Sequence, residues 1–275
     1  MPELPEAEYM VRRLRELPAG VIRKVEILRP GMTGDQPAKM LPRLAAKQPI
    51  VGFGRRAKSV LIQLANQHTI RIRLGMSGHV YHVADARNLP KYTRIAFLLE
   101  QGGAFAFEDA RTFGDVTIHP NASLPEVFAD LGPEPFDPAF TPAVLAELLK
   151  ASRAPIKPLL LDQSRVVGLG NIWAAEALWH ARIHPSTPAR DLSGKQLKAL
   201  HRAIVSVLAK AVENAFRATE TGADFPEADL LAVAVYQRDG QPCRKCRGAI
   251  ERFVQAGRST FFCPGCQAQS GGPLH

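Results

Sequence analysis

The chain's four cysteines, Cys243, Cys246, Cys263 and Cys266, fall in the pattern C-x2-C, sixteen residues, C-x2-C. Each C-x-x-C turn can aim two thiolates at one ion, and two such turns make the pattern of a tetrahedral zinc site. The gap between the pairs suits a β-hairpin, and Gly257-Arg258-Ser259-Thr260 lies inside it. One structural Zn2+ would stiffen a hairpin that presents an arginine. Two disulfides are the alternative, and they belong to an oxidising compartment.

The rest of the chain must position such a cation. Its 275 residues allow one large domain or two to three small ones, and a hydrophobic fraction of 46% is ample for a core. Lys and Arg exceed Asp and Glu by 35 to 26, a net charge of +9, which favours a polyanionic partner such as nucleic acid. The opening MPELPEAEYMVRRLRELPAG has no apolar core of the signal-peptide kind. No run reaches the roughly 20 apolar residues of a membrane span. A cytoplasmic protein with reduced thiols and no membrane partner is expected.

Residues 3 to 17 read as a helix, with Met10, Val11, Leu14 and Leu17 on one face, Glu6 and Glu8 near its positive end, and Gly20 as a stop. From about 21 to 119 the pattern is of strands, clearest at 60–64, 69–74, 93–100, 104–109 and 115–120, which suggests a sandwich or barrel. Residues 131–140 hold three prolines and a glycine and read as a stiff linker. Helices follow: one opened by Thr141-Pro142, one from near Pro155, and one from Ile172 to Ala181 after a glycine-rich turn. A long one is capped by Ser193 and Gln196. Residues 218–232 are acidic and loop-like, and the tail SGGPLH reads as disordered. The expected fold class is α+β and multidomain. It comprises an N-terminal helix plus β-sandwich over 1–130, a helical domain over 141–234, a C-terminal hairpin zinc finger over 235–268, and a tail over 269–275.

Three separated motifs converge: Met-Pro-Glu-Leu-Pro-Glu at the start, Gly168-Leu-Gly-Asn171-Ile between two helices, and the zinc hairpin with Gly257-Arg258-Ser259-Thr260. Together they resemble the formamidopyrimidine-DNA glycosylase family of base-excision repair enzymes, over about residues 1 to 266 and in the same order. The resemblance implies a helix–two-turn–helix in the middle domain. It also implies a bifunctional DNA glycosylase and abasic-site lyase acting as a monomer on damaged double-stranded DNA in the bacterial cytoplasm, at the nucleoid.

The resemblance makes Pro2 the nucleophile once Met1 is removed. An α-amine has a pKa of roughly 8, so an appreciable fraction is neutral at pH 7 and able to attack. Its adduct with the sugar C1′ is a cationic iminium, an electron sink for eliminating the phosphates. Glu3 becomes the proton shuttle, Glu6 a supporting residue grouped with the DNA contacts, and Lys58 a lysine beside the lesion phosphate. Asn171, at a helix start, and Arg258, at the hairpin tip, become further phosphate clamps. Met76, Arg111 and Phe113 match the family's intercalating residues, which fill the space left by the flipped base.

The chain also departs from the family pattern. The stretch 218–232 lacks the usual double glycine and arginine and carries Glu220, Asp224, Glu227 and Asp229. Arg73 stands where histidine is common, and either can face phosphate. Ala175 replaces a common aspartate. Oxidised purines, 8-oxoguanine and formamidopyrimidines, are the expected substrates. A preference for oxidised pyrimidines or abasic sites is the rival within the chemistry, and a non-catalytic zinc protein that binds damaged DNA is the rival outside it.

Overall fold

The computed structural model describes residues 2–18, 20–220 and 233–268. The chain forms two compact units, Met1–Ala129 and Asp130–His275. Most of the acidic stretch 218–232 and the tail 269–275 lie outside the described residues. Among the described residues, no helix is long and apolar enough to cross a membrane.

The first unit opens with α1 (Leu4–Arg15), which has Glu3 at its N-cap and Pro5 in its first turn. Its buried face carries Leu4, Ala7, Met10, Val11 and Leu14, and it packs on strands of the sheet that follows. The sheet runs β1 (Val21–Ile27), a short α2 (Met40–Ala45), β2 (Gln48–Arg56), β3 (Ser59–Leu64), β4 (His68–Arg73) and β5 (Gly78–Val83). It continues with β6 (Thr93–Leu99), β7 (Ala104–Asp109) and β8 (Asp115–Pro120), and α3 (Leu124–Val127) follows. The eight strands are ordered β5-β7-β6-β1-β2-β3-β4-β8, and all the pairings are antiparallel.

Only Val21 and Ile22 of β1 pair with β2, so two four-stranded halves meet at a narrow seam. Phe53 on β2 and Phe105 on β7 lie three strand positions apart, about 14 Å in a flat sheet. Their rings are 5.3 Å apart, edge to face. The sheet is folded on itself, and Ile62, Ile70, Phe97, Phe105 and Phe107 fill the space between its faces. This is the sandwich that the strand spacing predicts.

The five strands named from sequence are all present. β1, β2 and β5 carry weaker signals. Arg23, Lys24 and Glu26 interrupt β1, Pro49, Gly52 and Gly54 lie in β2, and His79, Tyr81 and His82 occupy β5. Partners across the sheet decide those segments, since β-propensity yields to context.

The second unit contains α4 (Pro142–Leu149), α5 (Ile156–Leu161), α6 (Asn171–Ala181), α7 (Gly194–Glu220) and the hairpin β9 (Glu251–Gln255) and β10 (Arg258–Phe262). The predicted caps form. Thr141 Oγ1 accepts from the Val144 amide at 3.3 Å, and Ser193 and Gln196 cap each other reciprocally. α6 begins at Asn171 itself, with Gly170 as its N-cap. The hairpin turns through Ala256 and Gly257, both at positive φ, as a two-residue turn of the primed kind requires.

Candidate active site and metal centre

The N-terminal residues sit inside the first unit. Pro2, Glu3 and Glu6 are buried, Glu3 completely. Glu6 Oε2 accepts from the Glu3 amide at 2.8 Å, which returns a side chain to the backbone donor at the helix start. Burial, aided by the charge of Glu3, pushes the Glu6 carboxyl up to about 7. Two buried carboxyls side by side therefore hold a proton near neutrality.

Lys58 lies half-buried in the β2–β3 turn, next to Ala57 at positive φ. A salt bridge ties this corner to α1: Arg55 Nε donates to Glu8 Oε2 at 2.8 Å and Arg55 Nη1 to the Ala57 carbonyl at 2.9 Å. At Glu8 burial acts upward, but Arg55 and Arg12 overcome it and hold the carboxyl below its ordinary range. The lysine's turn is thus anchored to the helix that carries Pro2 and Glu3 at its start.

Met76 and the Arg111–Phe113 pair stand on two adjoining turns of the same unit. Phe113 is 53% exposed, a large apolar side chain standing in solvent, and the Arg111 guanidinium lies 5.1 Å from its ring centre. Arg73 is exposed at the end of β4, and its Nε donates to Asp115 at 2.6 Å on β8.

Asn171 and Arg258 belong to the second unit and meet there. Asn171 Nδ2 donates to the Ser259 carbonyl at 3.0 Å, so the first residue of α6 holds the strand next to Arg258. Arg258 itself is exposed, one residue past the hairpin turn.

The four cysteines converge, all their sulfurs lying within 4.8 Å of one another. Cys243 and Cys266 are 3.8 Å apart and Cys246 and Cys263 3.4 Å, too long for disulfides. Zn–S bonds of 2.3 Å in a tetrahedron put sulfurs about 3.8 Å apart, which these distances fit. Burial raises the Cys263 and Cys266 thiols, whereas at Cys243 burial is outweighed by the amides of Cys246 and Lys245. Cysteines bind a metal as thiolates, so a cation held among the four sulfurs would favour their ionised form. The centre is packed into α6: Trp179 joins Cys243, Cys263, Ile250 and Phe261 in one cluster, and the Lys245 ammonium lies 4.1 Å from the Trp179 ring centre.

Three family descriptions match the chain. They are a formamidopyrimidine-DNA glycosylase N-terminal domain over residues 1–116, a formamidopyrimidine-DNA glycosylase H2TH domain over 131–221, and a zinc finger found in FPG and IleRS over 240–269. A formamidopyrimidine-DNA glycosylase of Chloroflexus aggregans is 42% identical over 97% of this chain and 98% of its own length. The chain belongs to the formamidopyrimidine-DNA glycosylase family. Among solved members, the Lactococcus lactis enzyme bound non-covalently to DNA containing an AP site superposes with a TM-score of 0.88 at 29% identity. That match covers 97% of this chain and all of the other. A structure of MutM with DNA containing carbocyclic 8-oxo-G gives 0.89 at 29% identity, over 98% of this chain and all of the other.

Within this glycosylase fold, the buried charges of Lys157 and Glu176 are among those that escape the sequence reading. Lys157 on α5 is 1% exposed and donates to Asn171 Oδ1 at 2.6 Å, Thr260 Oγ1 at 2.8 Å and the Ser259 carbonyl at 3.1 Å. It joins the start of α6 to the zinc hairpin. Glu176 on α6 is 3% exposed and accepts the amides of Ala234, Val235 and Tyr236 at 2.8, 2.9 and 3.0 Å. It fixes the chain just after residues 221–232. The available signal is one charge in an apolar helix: Lys157 in IKPLLL and Glu176 in NIWAAEALWHA.

Proposed function

We propose that this protein is a bifunctional DNA glycosylase and abasic-site lyase that removes 8-oxoguanine and formamidopyrimidines from duplex DNA. The observation that carries this reading is the N-terminal site: Pro2 lies beside two buried carboxyls, one of which holds a proton near neutrality. With Met1 removed, the Pro2 nitrogen attacks C1′ as the bond to the damaged base breaks. Glu3 supplies a proton to the opening sugar ring or the departing base. The adduct is an iminium. Loss of a C2′ proton expels the 3′ phosphate, and a second elimination expels the 5′ phosphate, leaving a one-nucleotide gap. Glu6 is buried and acts as a positioning residue and proton reserve beside the DNA contacts.

Lys58 and Arg258 neutralise backbone phosphates, Asn171 donates a hydrogen bond to one, and Arg73 offers a further cation whose charge Asp115 tempers. Met76, Arg111 and Phe113 enter the space of the flipped nucleotide. Four cysteines hold one structural zinc ion, which fixes the hairpin that aims Arg258. The domains divide as 1–130 for chemistry, 141–234 for the helical DNA contacts and 235–268 for the finger, with 131–140 as linker. The protein acts as a monomer in the cytoplasm, on the bacterial nucleoid.

Borohydride reduces an iminium to a stable amine. Processed protein mixed with a duplex carrying 8-oxoguanine opposite cytosine should be trapped as a covalent complex mapping to Pro2. Trapping on an abasic duplex alone would retain the lyase and move the substrate away from 8-oxoguanine. No trapping on either duplex, with Met1 shown by mass to be absent, would overturn the enzymatic reading.

A further inference from the structure

We propose that Asp109 and Ser77 are positioning residues that lock the Met76 turn and the Arg111–Phe113 turn into one wedge, formed before DNA arrives. The proposal rests on the intercalating role given above to Met76, Arg111 and Phe113.

Asp109 ends β7 and is completely buried. Its Oδ1 accepts from Ser77 Oγ at 2.5 Å and from the Arg111 amide at 3.2 Å, and its Oδ2 accepts from the Gly114 amide at 2.8 Å. Ser77 Oγ in turn accepts from the Arg111 amide at 3.1 Å. One carboxylate thus satisfies both ends of the 111–114 turn and, through one hydroxyl, reaches the neighbouring turn. The two backbones touch. A Cβ on Gly75 would stand 2.5 Å from the Gly114 nitrogen and 2.6 Å from the Phe113 carbonyl carbon, so only glycine fits there.

A second layer holds the clamp from behind. Arg94 Nε donates to the Asp109 carbonyl at 2.6 Å and Arg94 Nη2 to the Ala110 carbonyl at 3.2 Å. Between the two wedge residues, Thr112 sits at φ 57°, a left-handed conformation that a β-branched residue adopts only under constraint. The amides pinned on either side, at Arg111 and Gly114, supply that constraint.

Preformation bears on one step. Flipping a base requires the wedge to enter as the stack opens, and a disordered turn would have to lose its freedom at that moment. A locked one has lost it during folding. Substrates with a base to extrude therefore depend on the lock more than an abasic site does.

Asp109→Asn preserves the shape, but either orientation of the amide points an NH2 at a backbone N–H, that of Arg111 or that of Gly114. Ser77→Ala removes only the bridging hydroxyl, and it serves if Asp109→Asn folds poorly. Phe113→Ala removes part of the wedge itself. Single-turnover removal of 8-oxoguanine, cutting of an abasic duplex, and the fluorescence of 2-aminopurine placed beside the lesion are measured for each. For Asp109→Asn the expected result is an excision rate about 10- to 100-fold lower, abasic cutting within about threefold of the parent, and a slowed 2-aminopurine signal. Ser77→Ala should change the same way by a smaller factor. Equal loss of both activities in both variants would make Asp109 and Ser77 merely structural and overturn the proposal. So would parental excision in both variants while Phe113→Ala is impaired. Parental excision in Phe113→Ala would instead refute the wedge reading on which the proposal stands.

Discussion

Glu6→Gln should make the protein less sensitive to rising pH, because Glu6 is a carboxyl that the fold prefers protonated. Its carboxyl rises from 4.5 to about 7 through burial first and the Glu3 charge second. The hydrogen bond from the Glu3 amide acts the other way without winning. Since the folded value exceeds the unfolded one, the favourable contribution is complete below pH 4.5 and disappears as pH rises through 7. Between pH 5 and 8.5 the change is on the order of 2 to 3 kcal/mol. Glutamine keeps an acceptor for the Glu3 amide and carries no charge. Relative to the parent, Glu6→Gln should therefore gain on the order of 2 to 3 kcal/mol between those pH values. Urea unfolding followed by circular dichroism at both pH values measures the difference. A gap between variant and parent that changes by less than about 0.5 kcal/mol would refute the argument that burial controls this carboxyl.

Arg258→Ala should weaken binding to damaged duplex and lower the slope of log affinity against log salt by about one, read by fluorescence anisotropy. An unchanged slope removes Arg258 from the phosphate contacts. Stripping zinc with a chelator should change the tryptophan emission, because Trp179 packs against Cys243, and should leave the β-sheet unit's melting in place. Simultaneous loss of both units would contradict that independence. Glu176→Gln should cost about 2 kcal/mol in denaturant unfolding, since an amide NH2 must face one of three backbone donors. A neutral result would mean those amides find other partners.

The chain's family was legible in short motifs, and so were features that depend on neighbours in sequence. Two C-x2-C turns determine a zinc centre whichever way the rest folds, because each pair of thiolates is placed by its own turn. Thr141-Pro142 and the Ser193–Gln196 box likewise begin helices through bonds spanning three residues. Strands rich in apolar residues announced themselves, whereas β1, β2 and β5 did not, because pairing partners rather than composition hold them in the sheet. Tertiary structure alone decided the remainder. Ser77 meets Asp109 from 32 residues away, Glu176 meets Ala234 from 58, and Lys157 meets Thr260 from 103. It also decided that Glu6 is buried beside Glu3 and holds a proton near neutrality, where a first-turn glutamate in solvent would not. Hydrogen bonds of that reach, and the removal of water that shifts a carboxyl, arise from packing between elements, and no periodicity along the chain records them.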